Sequence, residues 1–141
     1  MAYSIGDYTF NTAAFFPNQL FAALTGLRVQ GIAGILANEA EARQRRPSLT
    51  TDGKLTILAA DHPARMVTAV GGDPLAMGNR YEYLGRVLRV ITDPTFDGLM
   101  ATPDVLEDVF LVNFLHKQRG GKSFLDNKVL LGSMNRGGLS G

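Results

Sequence analysis

The sequence predicts an α/β fold: the N-terminal portion of a (β/α)8 TIM barrel, with about three parallel strands preceded by two helices. Helical and strand patterns alternate along residues 51–141, which is typical of parallel βαβ units. The strand segments are continuous apolar runs, as expected of parallel strands that are covered on both faces. Each run is followed by polar or ionisable side chains, which barrel enzymes place at the carboxyl ends of their strands.

Two helices precede the first strand and define an N-terminal helical extension over residues 1–50. The first helix covers about residues 18–29, where leucine and phenylalanine side chains recur at helical spacing. The second covers about residues 32–46 and ends at Pro47. The arginines near its end lie among glutamates, so we interpret this basic cluster as a solvated helix end.

Three strand segments follow in residues 51–141, the second unit of the chain. They are short apolar runs, expected at residues 55–60, 98–101 and 129–133. Three strands are few for a stable sheet, since sheets usually contain about five or six. A (β/α)8 barrel takes about 250 residues. We therefore expect residues 51–141 to be an incomplete barrel, the first part of a larger α/β structure.

Two further helices connect these strands. Asp73 followed by Pro74 predicts an N-cap and the first helical position of a helix that continues to about residue 91. Thr102 followed by Pro103 predicts the start of the last helix in the same way. Acidic residues at the beginning of that helix and basic residues at its end complement the helix dipole.

The composition excludes several classes of function. The net charge of +1 gives no electrostatic argument for a nucleic-acid or membrane partner. With no cysteine and two histidines, neither a disulfide framework nor a thiolate or multi-histidine metal site is expected. The chain shows no signal-peptide pattern and no apolar stretch near the ~20 residues of a membrane span, so a cytoplasmic protein is expected. The glycine-rich residues 132–138 fit no nucleotide-binding motif, and no cofactor is expected.

The carboxyl ends of parallel strands meet at one edge of a sheet, and there the sequence places its polar side chains. The candidate site residues are Asp61, His62, Arg65, Thr102, Asp104, Ser133, Asn135 and Arg136. Asp61 is the candidate catalytic residue, because a partly buried carboxylate can transfer protons or bind a substrate hydroxyl. The alternative is that Asp61 caps the following loop.

Five of these candidates are predicted to bind substrate, and each has a structural alternative: His62, Arg65, Thr102, Asn135 and Arg136. His62 is either a general acid or base or a packing residue. Arg65 either binds a substrate carboxylate or phosphate or pairs with Asp61. Thr102 is either a rim residue or a helix N-cap. Asn135 and Arg136 lie on a glycine-rich loop, which suggests close approach to a ligand or else a flexible chain end.

Three segments together resemble one group of proteins: Leu58 to Arg65, Ala101 to Asp108, and Gly132 to Leu139. The group is the aldolase-like (β/α)8 proteins related to deoxyribose-phosphate, tagatose-bisphosphate and archaeal-type class I fructose-bisphosphate aldolases. Within it, the sequence is most similar to a subgroup from actinobacterial inositol-type catabolic clusters. The resemblance covers residues 54–141, the N-terminal part of such a protein.

The resemblance implies a class I aldolase, a carbon–carbon lyase that cleaves a sugar-phosphate or related keto or aldo compound. In this family a lysine on a later strand forms an imine with the substrate, and Asp61 matches the acidic residue at the end of the first strand. The chain departs from the pattern by ending after the third strand, without the lysine or the phosphate site, so we expect it to be inactive alone. The alternative is a non-catalytic half-barrel that self-associates or pairs with a complementary half. A homo-oligomer is expected.

Overall fold

The computed structural model describes residues 6–134 as a mixed α/β structure with a small parallel sheet. In chain order the elements are α1 (Thr12–Phe15), α2 (Asn18–Gln30), α3 (Ala33–Ala42), β1 (Ile57–Ala60), a 3₁₀ turn (Pro63–Arg65), α4 (Arg80–Ile91), β2 (Gly98–Ala101), α5 (Pro103–Gln118) and β3 (Val129–Gly132). The predicted order of helices and strands is therefore confirmed, apart from the one-turn helix α1, which the sequence pattern does not predict.

The sheet has the strand order β1-β2-β3, and both pairs are parallel. In the register, Gly98 lies between Ile57 of β1 and Val129 of β3. β2 has the predicted bounds, whereas β1 begins two residues later than predicted and β3 ends one residue earlier. Because the pairs are parallel, the carboxyl ends of all three strands lie at one edge of the sheet.

The two faces of the sheet have different surroundings, because successive side chains of a strand point to opposite faces. One face belongs to the core that α4 and α5 cover, and its side chains are those of Leu58, Ala60, Leu99, Ala101 and Leu130. On the other face lie Ile57, Ala59, Met100, Val129 and Leu131, none of which belongs to this core or packs against it. We call this second surface the helix-free face. It is apolar throughout.

Gly98 also lies on the helix-free face, in the row of Ile57 and Val129. A Cβ atom at this position would collide with the carbonyl oxygen of Val129 and lie 2.9 Å from Cδ1 of Ile57. The close approach of three strands at this row therefore requires a residue without a side chain.

The helices bury the apolar faces that their spacing predicts. Leu84 and Ile91 of α4 are fully buried, as is Val109 of α5. α2 and α3 both pack against α5, and α1 packs against α4. Phe16 directly follows α1 and is 1% exposed, so the N-terminal helices contribute side chains to the same core as the sheet.

The prediction that α4 begins at Asp73 is wrong, because the helix begins at Arg80. The Asp73 carboxylate accepts a hydrogen bond from the backbone N–H of Leu75 at 2.9 Å, which closes a local turn instead of a helix. Asn79 is the actual N-cap, and its side-chain oxygen accepts from the backbone N–H of Glu82 at 3.1 Å.

The interpretation of the basic cluster as a solvated helix end is also corrected. α3 ends at Ala42, and the arginines that follow bind other parts of the chain. The Arg43 guanidinium donates to the carbonyl of Lys128 at 2.6 Å. The Arg46 guanidinium donates to the Asp97 carboxylate at 2.8 Å. These contacts join the segment after α3 to the amino-terminal edge of the sheet.

Candidate active site

A cleft of about 600 Å³ lies at the carboxyl ends of the strands. Its lining residues are Asp61, Ala64, Arg65, Thr102, Pro103, Asp104, Glu107, Ser133 and Met134. Polar residues that follow each of the three strands thus contribute to one cleft, as the parallel topology predicts. Two predicted site residues, Asn135 and Arg136, lie outside the described residues.

Asp61 directly follows β1 and is 8% exposed. Its Oδ2 atom lies 3.4 Å from Nε of Arg65, and its Oδ1 atom lies 4.0 Å from Nδ1 of His62. Within residues 6–134, Oδ1 has no hydrogen-bond partner. The buried carboxylate therefore keeps one oxygen with unused capacity to accept a hydrogen bond.

Arg65 reaches Asp61 because Pro63 begins a 3₁₀ turn right after the strand, which places Arg65 four residues from Asp61 on the same side. The ion pair is the structural alternative that the sequence left open. The pair lacks hydrogen-bond geometry at Nε, so Arg65 retains donor capacity. That Arg65 also binds substrate stays a prediction.

His62 is not among the residues that line the cleft. It lines a neighbouring apolar groove of about 340 Å³, which runs between β1, α4 and the segment that connects them. Asp61 and His62 are neighbours in the chain but line different cavities, the polar cleft and the apolar groove. That His62 binds substrate stays a prediction.

Thr102 occupies the N-cap position of α5, but its side chain makes no capping hydrogen bond. It lines the cleft together with Asp104. Burial alone would raise the pKa of Asp104, but a hydrogen bond from Thr102 and the charge of Arg80 lower that pKa below its usual value. Asp104 is therefore an anion at neutral pH, and the cleft carries negative charge on two sides.

An ion-pair network behind the cleft was not predicted. Asp108 of α5 is 2% exposed, and its two carboxylate oxygens bind two arginines from other helices. Nε of Arg28 in α2 donates to Oδ1 at 2.9 Å, and Nε of Arg80 in α4 donates to Oδ2 at 2.8 Å. The sequence signal was the spacing of Asp104 and Asp108, which lie four residues apart on one helical face.

None of the four lysines lines the cleft. Lys128 is the most buried of them, and its ammonium group donates to the carbonyls of Asp93 and Phe96. Lys117 pairs with the buried Glu39 at 2.7 Å. No lysine in this chain is placed to form an imine in the cleft.

The described residues contain neither a metal-binding cluster nor a single helix that could cross a membrane. Residues 6–134 contain no group of three or more His, Cys, Asp or Glu side chains arranged to hold a metal ion. No single helix there has the length and hydropathy to cross a membrane. α2 and α3 together reach that length and composition, but they are bent by 114° at the break between them.

The parallel sheet and the polar cleft at its strand ends define an α/β protein of the kind that places ligands beside the carboxyl ends of its strands. More particularly, the chain belongs to the Cgl0159-like family, which matches residues 53–141. It is similar to the crystal structure of Cgl0159 from Corynebacterium glutamicum (Brevibacterium flavum), with 40% sequence identity and a TM-score of 0.70. The match covers 86% of this chain and 37% of the Corynebacterium chain. No curated protein matches the chain.

Proposed function

We propose that the chain supplies the first three strands of a (β/α)8 lyase of the class I aldolase type, with Asp61 as its acid/base residue. The observation that carries the proposal is the Asp61 carboxylate, which is buried at the carboxyl end of β1 in a residue that lines the cleft. The resemblance of its sequence segment to aldolase-like proteins supplies the reaction class. The substrate class is a sugar-phosphate or a related keto or aldo compound.

The helix-free face supports the barrel. In a (β/α)8 barrel one face of every strand meets helices, and the other face fills the interior with apolar side chains. Leu131, on the helix-free face, is 43% exposed in this chain. Further strands that close the sheet into a barrel cover such side chains. The Corynebacterium chain, of which this chain spans 37%, is long enough to contain them.

The apolar groove beside β1 supports the same closure. It follows the free edge of β1, and Val87 and Val90 of α4 form its far wall. In a closed barrel the last strand pairs with the first, and the last helix packs beside the first barrel helix. The groove is where that strand and helix pack, and its apolar lining is suited to a helix with an apolar face.

The proposed reaction divides the chemistry between two parts of the barrel. A lysine from the part that this chain does not contain forms an imine with the substrate carbonyl. Asp61 accepts the proton of the substrate hydroxyl as the carbon–carbon bond breaks, and the bonding electrons move toward the imine. Asp61 returns the proton in the reverse direction. A site formed from several strands is expected, because barrel enzymes take their catalytic residues from several strand ends.

Imine trapping tests the proposal. The chain is co-expressed with the part of the Corynebacterium protein that it does not cover, and the pair is treated with borohydride and a panel of keto- and aldo-phosphates. We expect a stable substrate adduct on the complementary part. The Asp61→Asn substitution is expected to lower turnover by about 100-fold or more, because it removes general acid/base catalysis.

The matched control is Asp73→Asn, which changes an exposed carboxylate in the same connection between β1 and α4. It is expected to leave turnover unchanged. A complex that forms but traps none of the phosphates would contradict the proposal, as would equal turnover of the Asp61→Asn and Asp73→Asn variants.

The second candidate is a non-catalytic half-barrel, and the exposed apolar side chains of the helix-free face favour it. Two copies that cover each other's helix-free face remove these side chains from water without a complementary half. This candidate predicts self-association of the chain and no imine formation in any pairing.

A further inference from the structure

The carboxylate of Asp104 in the cleft is bound by a side chain from another helix. The Asp104 side chain is 61% exposed, and it lines the cleft together with Asp61. Nη1 of Arg80, the first residue of α4, donates to Oδ2 of Asp104 at 2.9 Å. Ion pairs between exposed side chains are usually weak. How firmly Arg80 holds Asp104 therefore depends on what holds Arg80.

Arg80 is held by a buried carboxylate. Its Nε atom donates to Oδ2 of Asp108 at 2.8 Å, and its Nη2 atom lies 2.6 Å from the same oxygen. Asp108 is almost fully buried. Because the guanidinium group is planar and rigid, two nitrogens bound to Asp108 fix the direction of the third nitrogen, Nη1. A buried ion pair thus holds an exposed carboxylate in place at the cleft.

Arg28, the other arginine bound to Asp108, does not replace Arg80. The guanidinium of Arg28 binds the carboxylates of Asp108 and Glu107. It reaches Asp104 only at the backbone carbonyl, to which Nη2 donates at 3.2 Å. Within residues 6–134, Arg80 is the one cation that forms an ion pair with the Asp104 carboxylate.

The charge of Asp104 determines which chemical group it can bind. Burial raises the pKa of Asp104, but a hydrogen bond from Thr102 and the charge of Arg80 lower it below the ordinary value of 3.8. At neutral pH the carboxylate is therefore ionised and only accepts hydrogen bonds. A hydroxyl group can donate to such an acceptor, whereas a phosphate or carboxylate group of a ligand meets a like charge.

We infer that Asp104 binds a hydroxyl group of the substrate in the cleft, and that Arg80 is the positioning residue that holds the Asp104 carboxylate there. The inference rests on the proposed function, because the hydroxyl group belongs to the compound that the lyase cleaves. Asp61 remains the acid/base residue of that reaction. Asp104 binds the substrate equally before and during bond cleavage, so it contributes to substrate affinity and not to the chemical step.

Nuclear magnetic resonance of the 141-residue chain at neutral pH tests the contact between Arg80 and Asp104. The ¹⁵Nη signals of Arg80 are expected to shift in the Asp104→Asn variant, because Nη1 loses its anionic partner. The signals of Arg28 serve as a control within the same sample, since Arg28 binds Asp108 but not the Asp104 carboxylate. Asp104→Asn leaves Asp108 paired with both arginines, so the variant is expected to fold.

The reciprocal measurement follows the carboxyl carbon of Asp104 during acid titration. Arg80→Lys is expected to raise the pKa of Asp104, because an ammonium group does not reproduce the planar fork that binds two carboxylates. The matched control is Arg28→Lys, which disturbs the same buried Asp108 and is expected to leave the pKa of Asp104 unchanged. The positioning role is overturned if Asp104→Asn shifts the Arg80 and Arg28 signals equally, or shifts neither.

Turnover of the co-expressed pair tests the role of Asp104 in binding substrate. Asp104→Asn is expected to raise KM about tenfold with kcat unchanged, since it weakens binding and not proton transfer. Arg80→Lys is expected to raise KM in the wild type but to have no further effect on KM in the Asp104→Asn background, because it acts through Asp104. A merely structural role of Arg80 predicts the same effect in both backgrounds. Asp73→Asn is again the control with unchanged turnover.

The outcomes separate this inference from the proposed function. If no imine forms in any pairing, the lyase and the binding of its substrate by Asp104 both fail, while the magnetic-resonance measurements decide whether Arg80 holds Asp104. If imine forms and Asp104→Asn leaves KM unchanged, the binding role of Asp104 is overturned and the lyase stands.

Discussion

Asp108 shows how a single residue joins three helices. Its carboxylate in α5 binds Arg28 from α2 and Arg80 from α4, and it is almost fully buried. Removing one partner of a buried ion pair leaves uncompensated charge in the core, which costs far more than the loss of a surface pair. Asp108 is therefore expected to be the carboxylate on which the packing of these helices most depends.

The Asp108→Asn substitution is expected to lower the free energy of unfolding by about 3–5 kcal/mol, because two arginines lose their anionic partner. Urea denaturation followed by circular dichroism measures this change. The neighbouring Glu107→Gln removes a more exposed partner of Arg28 and is expected to cost less than about 1 kcal/mol. If both variants lose the same free energy of unfolding, the burial of Asp108 adds nothing to the strength of its ion pairs with the two arginines.

The strand ends allowed the sequence to predict which polar residues lie close together, whereas their roles stay predictions. Asp61, Arg65 and Thr102 line one cleft because parallel strands end at the same edge. The sequence could not show that His62 lies apart from this group. The direction of a side chain just after a strand depends on the turn that follows, which is here the 3₁₀ turn.

At the scale of elements, the helix and strand pattern is predictable and the helix starts are less so. β2 and the buried face of α5 follow from apolar spacing alone. The start of α4 does not, because Asp73 and Pro74 satisfy the rules for a helix start and for a turn equally well. Asn79 with Glu82 three residues later was the better signal. Tertiary contacts of the connecting segment decide between the two.

Asp97 links the segment that precedes β1 to the segment that precedes β2. Its carboxylate accepts from the backbone N–H of Thr56 at 2.7 Å and from Arg46 at 2.8 Å. The hydrogen bond from Thr56 and then the one from Arg46 lower the pKa of Asp97 below its ordinary value of 3.8. A carboxylate whose pKa is lowered on folding stabilises the fold above the ordinary pKa, and this stabilisation is lost as the pH falls through the folded pKa.

Stability is therefore expected to fall below about pH 4, and Asp97→Asn is expected to weaken that fall while lowering stability at neutral pH. Urea midpoints measured from about pH 7 to about pH 3 test this. Asp7→Asn changes an exposed carboxylate and serves as the control, with a pH profile that matches the wild type. If the urea midpoint of Asp97→Asn falls at low pH as steeply as that of the wild type, other carboxylates cause the acid sensitivity.

At the scale of the whole molecule, the sheet formed within residues 6–134 has two edges without a further strand and one apolar face without helices. The sequence predicts an incomplete sheet, because three strands are few for a stable one. It could not foresee which side chains lie on that face, since in a buried parallel strand both faces are apolar and the register decides between them. The register places Ala59, Met100 and Leu131 in one row across the sheet.

The chain alone is expected to self-associate through this row. Leu131→Lys places a charge on the helix-free face and is expected to reduce the sedimentation coefficient toward that of a monomer. Leu49→Lys is the control, because Leu49 is even more exposed, at 61%, but precedes the sheet. Sedimentation velocity at several concentrations measures both. If the two variants associate to the same extent, another surface holds the copies together.

Gly98 has a consequence for how the gene can change. Every single-base change in a glycine codon that alters the residue adds at least a Cβ atom or ends translation, and here that atom meets the carbonyl of Val129 and the side chain of Ile57. A codon such as that of Ala59 can change to one for another small residue without moving a strand. At Gly98 the first change of residue already requires β3 to shift, so substitutions are expected to accumulate in the rest of the sheet while position 98 remains glycine.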